Sequence, residues 1–107
     1  MNIVNMTPHE IKVVGQAGSV IGTFQPSGQI ARLEVVRAQR GLVQGIPLYV
    51  SEVGQASGLP EAIEGRYLIV STLVRTSFPA RKDLLSPGEL VRDDKGQPIG
   101  CKGFDRN

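Results

Sequence analysis

Arg66-Tyr67-Leu68-Ile69-Val70-Ser71 holds four consecutive apolar residues between Gly65 and a hydroxyl-bearing pair, Ser71-Thr72. So short and uniformly apolar a run suits a central strand covered on both faces, although a buried helical turn shares the pattern. Working outward, residues 10–14, 19–24, 29–37 and 46–50 are also rich in Val, Ile, Tyr and Phe. Ala31, Leu33 and Val35 alternate with Arg32 and Glu34, the period of a strand with one wet face. Thirteen glycines and seven prolines punctuate the 107 residues at intervals too short for typical helices.

The connections agree. Gly15-Gln16-Ala17-Gly18 reads as a hairpin turn. Ser86-Pro87-Gly88 suits a type II turn, and Lys95-Gly96 lies in the loop of a further hairpin whose second strand Pro98 confines to an edge or bulge. Residues 72–78 fit either strand continuation or one short turn, and Pro79 ends both. Residues 54–58 form the expected flexible segment. The expectation is a mostly β fold: one domain over residues 1–107, a small antiparallel sandwich or barrel of six to eight strands.

Composition excludes more chemistry than it supports. One cysteine cannot form an intramolecular disulfide, and one histidine with one cysteine supplies a poor zinc site, so no metal and no cofactor is expected. The start lacks the basic residues and apolar run of a signal peptide, and no stretch is long enough to span a bilayer, so the expectation is a cytoplasmic protein with no membrane partner. A net charge of +2 and scattered aromatics disfavour nucleic acid. Neither a Gly-x-Ser-x-Gly elbow nor a phosphate-binding glycine loop occurs. Cys101 reads as a small strand residue rather than a nucleophile.

Two constellations stand out. Thr7-Pro8-His9-Glu10 has the spacing of a capping box, expected as a single turn feeding a strand. Arg75, Arg81, Lys82 and Arg92 lie in expected loops, and their cationic groups suit phosphate or carboxylate; with His9 they are the candidate ligand-binding residues, converging on one hollow. The competing account is solvated charge, with Asp83 and Asp93 pairing to neighbouring arginines.

Asn5-Met6-Thr7-Pro8-His9-Glu10-Ile11, Gly58-Leu59-Pro60, the 67–71 run, the stretch from Arg81 to Gly88, Val91-Arg92-Asp93 and Ile99-Gly100-Cys101 together resemble a family of small uncharacterised proteins encoded by bacteria, phages and prophages. The resemblance covers nearly the whole chain. It implies a phage-related accessory protein, often one that binds a host factor or sequesters a small molecule, and assigns no catalytic residue.

The leading expectation is therefore a non-enzymatic binding module for an anionic, nucleotide-like ligand or a host protein. A second is a small hydrolase or nucleotide-processing enzyme using His9 with Asp83 or Asp93. A third is a structural or oligomeric protein, a homo-oligomer pairing through an edge strand such as the Ile46 run or the Pro98 segment.

Overall fold

The computed structural model describes residues 2–107. The chain is mostly β: strands β1 (Asn2–Asn5), β2 (Ile11–Val14), β3 (Val20–Phe24), β4 (Arg32–Val43), β5 (Ile46–Ser57), β6 (Arg66–Ile69), β7 (Leu84–Arg92) and β8 (Pro98–Arg106), with one helix, α1 (Thr72–Ser77). Six strands make an open sheet in the order β1-β6-β7-β8-β2-β3, and β4 and β5 form a separate two-stranded ribbon. The sheet does not close into a barrel. Antiparallel pairing joins β2 to β3, β7 to β8 and β4 to β5, while β1–β6, β6–β7 and β2–β8 are parallel.

The 66–71 run is central, as its apolar continuity requires. β6 lies between β1 and β7, and Leu68, Ile69 and Val70 are fully buried. Leu68, Val70 and Leu84 meet Met6, Ala31 and Val74 in one cluster, against which Val4, Leu33, Leu59 and Phe78 pack. Val74 comes from α1, so Thr72–Ser77 take the short helical turn rather than continuing the strand, with Phe78 as the C-terminal cap. Ser71 caps it with extended backbone angles, and its hydroxyl accepts from the Val74 N–H at 3.2 Å. Thr76 and Ser77 donate back to the Thr72 and Leu73 carbonyls, satisfying hydroxyls that the strand reading would have turned outward.

Three local expectations change. Ser86-Pro87-Gly88 is not a turn but the middle of β7: Pro87 pairs with Phe104, and Gly88 lies so near the Lys102 and Gly103 carbonyls that a Cβ would sit 2.9 Å from each. Glycine is required there by close approach. Residues 54–57 are not a loop but the end of β5, and β1 forms where no strand was expected, because its partner β6 lies far away in sequence.

The ribbon departs from every other part of the chain. Its strands are twelve residues each, joined at Gln44-Gly45, where φ is 50° and 78° respectively. Positive φ at both central residues is the geometry whose twist matches a hairpin. None of its strand residues is buried. The register sets Val35 opposite Val53 and Gln39 opposite Tyr49 on one face, and Val36 opposite Glu52 and Ala38 opposite Val50 on the other. At its base Leu33 joins the core, and the chain re-enters through Gly58, at φ 74°, pressed against the Ile30 carbonyl. The projecting ribbon, an arm, raises the radius of gyration to 17.0 Å. A compact chain of this length would have about 13 Å.

Candidate functional site

The sheet separates the cationic residues that the sequence placed in one hollow. Arg81 and Lys82 immediately precede β7, and Arg92 ends it. Nine residues of strand put those ends roughly 25 Å apart. Arg92 Nη1 donates to the Gly96 carbonyl at 2.9 Å, stiffening the β7–β8 turn. Asp93 Oδ1 accepts from the Lys95 and Gln97 N–H groups in that same turn.

At the other end the arginines are largely occupied by the fold. Arg75, on α1, donates from Nε to Ser86 Oγ at 2.8 Å and from Nη1 to Asn107 Oδ1 at 3.2 Å. The Asn107 amide in turn donates to the Arg75, Phe78 and Arg81 carbonyls, clipping the helix end to the following loop. Arg81 grips Asp83 with two bonds of 2.8 Å and also donates to the Pro60 carbonyl. The hydrogen bond to Arg81 holds the Asp83 carboxyl below its ordinary pKa, and the reciprocal bond raises that of Arg81. Beside this pair is a cleft of about 340 Å3, lined by Arg66, Arg81 and Lys82 together with Glu64 and Asp83. Arg66 Nε is buried there with no hydrogen-bond partner among the described residues. The sequence reading did not include Arg66, since an arginine opening an apolar strand carries no distinguishing signal.

Thr7 and Glu10 do not form the expected capping box. The buried Asn5 organises the loop instead: its amide donates to the His9 and Phe24 carbonyls at 2.7 and 2.9 Å, and its Oδ1 accepts from the Thr7 N–H and hydroxyl at 2.9 and 2.6 Å. One asparagine thus satisfies four polar groups and ties β1 to the end of β3. Glu10 turns outward to Gln25 and Lys12. His9 is exposed, and among the described residues no hydrogen bond joins its imidazole to Asp83, Asp93 or any other acid.

His9 instead stands at a groove of about 610 Å3 walled by Ile11, Pro87, Leu90, Pro98 and Ile99. Cys101 also lines it, but the residue is 2% exposed, its thiol faces the Lys12 carbonyl at 3.5 Å, and burial pushes its pKa up. A thiol so held is protonated near neutrality and a poor nucleophile. No cluster able to hold a metal occurs among the described residues, and none of their helices is long and apolar enough to cross a membrane.

The most exposed apolar surface is the arm. Nine of the fifteen large hydrophobic side chains left exposed among the described residues belong to it: Val35, Val36, Leu42, Val43, Ile46, Leu48, Tyr49, Val50 and Val53. Two of its arginines are held within it: Arg37 lies over the Tyr49 ring at 4.4 Å, and Arg40 pairs with Glu52. Comparison with known families, with curated proteins and with solved structures finds no match.

Proposed function

We propose that the protein is a non-enzymatic binding module that works by presenting the β4–β5 arm to a protein surface, as a phage-related accessory protein engaging a host factor or its own kind would. One observation carries this reading: an apolar ribbon with neither face covered. Two strands alone are marginal in water, and contiguous apolar patches of this kind mark interaction sites. The Ile46 run, an edge-strand candidate in the sequence, forms one side of the ribbon.

Leu48→Lys together with Val50→Lys tests it. The expected result is loss of every protein contact with an unchanged melting temperature, because both side chains are exposed. Retention of all contacts overturns the reading.

An anion-recognising surface is the second reading, favoured by the three cations Arg66, Arg81 and Lys82 that line one cleft. It uses only Arg81 and Lys82 of the original set, leaving Arg75, Arg92 and His9 outside. A nucleotide panel that raises the melting temperature, with the rise lost in Arg66→Gln, supports it; a flat panel removes it.

A further inference from the structure

The chain carries two uncovered apolar surfaces of opposite shape. The arm is convex, and the groove beside β7, β8 and the start of β2 is concave, with Leu90 and Ile99 about half exposed at 49% and 50%. No residue of the arm lines the groove. The arm leaves the body where Leu33 packs against the core cluster, whereas the groove lies on the strands toward the opposite edge of the sheet. Within one copy the two surfaces serve different regions.

We infer that a second copy of this chain covers the arm: the arm of each copy seats in the groove of the other. This rests on the reading of the arm as the functional surface and names its occupant. Area supports it first. Nine half-exposed side chains of this size hold on the order of 700 Å2, close to the roughly 800 Å2 each partner contributes to a stable interface. Reach supports it next, because twelve residues of strand extend about 40 Å, enough to cross a neighbouring sheet of six strands, about 25 Å wide at a spacing of about 4.8 Å.

Reciprocal exchange also explains why both faces of the arm carry exposed apolar side chains. A ribbon laid on a single surface would need only one greasy face and would keep the other polar. Two arms crossing between two bodies each meet the partner's groove on one face and the partner's arm on the other. The face bearing Val36, Ala38 and Val50 and the face bearing Val35, Tyr49 and Val53 then both lose water. An isologous pair of this kind closes on itself and needs no further copies.

Sedimentation velocity with light scattering across a dilution series is the test, using the full chain, Val50→Glu on the arm and Leu90→Glu in the groove. Both positions are about half exposed, and circular dichroism with thermal melting checks that each variant folds. The expected result is a dimer for the unaltered chain and monomers for each variant alone. A monomer at every concentration overturns the inference, and so does a dimer that survives Leu90→Glu, which would mean arms pairing without the groove. If the unaltered chain is monomeric and Val50→Glu still abolishes a contact with another protein, this inference alone falls; if Val50→Glu changes neither self-association nor any contact, the proposed function falls with it.

Discussion

The six-stranded sheet and the arm are built from the same residue types, yet Leu68, Ile69 and Val70 are 1% exposed or less while Leu48, Tyr49 and Val50 are about half exposed. Apolar content does not distinguish them; what covers them does. β6 has a strand on each side and α1 with Met6 and Ala31 against it, whereas β5 has only β4. Burial is therefore a property of topology, and a strand whose second layer is missing from its own chain keeps its hydrophobic surface available.

The largest effect expected from this contrast comes from truncating one apolar side chain in each region. Leu68→Ala removes a fully buried side chain from the central cluster and should cost about 2–5 kcal/mol, enough to unfold much of the population of a small domain. Leu48→Ala in the dilute protein should change stability by less than about 0.5 kcal/mol. Urea unfolding measures both. Equal losses would show that the arm is packed and would erase the distinction.

Asn5→Ala should follow, at about 2–3 kcal/mol, because it removes a buried side chain that bonds two carbonyls and the Thr7 N–H and hydroxyl. Arg81→Met should cost about 2 kcal/mol and alter the acid limb of stability. Asp83 has a folded pKa below its ordinary 3.8, so the pair stabilises fully above that value and its contribution is lost as pH falls through the lower folded value. In Arg81→Met that part of the acid dependence should flatten. Melting temperatures between pH 6 and pH 2 check it, and an unchanged slope would mean that the pair does not discriminate the two states.

How much of this was legible depended on the range of the interaction. The 66–71 strand was readable from its own apolar run, and the Gly15–Gly18 turn and the β7–β8 hairpin because each is set by neighbours in sequence. β1 was not, because Asn2 to Asn5 acquire their ladder from Arg66 to Ile69. Ser86-Pro87-Gly88 has the composition of a turn, and only the approach of Lys102 and Gly103 explains why proline and glycine occupy a strand. The candidate site failed for a related reason. Closeness in sequence suggested that Arg81 and Arg92 share a hollow, but an intervening strand separates what a loop would have gathered. Ser71 as a cap and Asn5 as a hub were within reach: a serine before Thr72-Leu73-Val74 and an asparagine two residues before a threonine are both local signals.

The smallest effect isolates the arm from the sheet. Gln44 occupies φ 50°, a left-handed angle that asparagine tolerates better than glutamine, and Asn-Gly is the favoured pair for a two-residue turn of this twist. Gln44→Asn should therefore stabilise the tip by a few tenths of a kcal/mol. In dilute protein, where the arm opens without the sheet, the gain should appear as slower hydrogen exchange at Leu42, Val43, Ile46 and Leu48 and be absent from Leu68, Ile69 and Leu85, whose amides exchange through global unfolding. Were protection to rise by the same factor in both regions, arm and sheet would unfold as one cooperative unit. The ribbon would then draw its order from the body it projects from rather than from a partner.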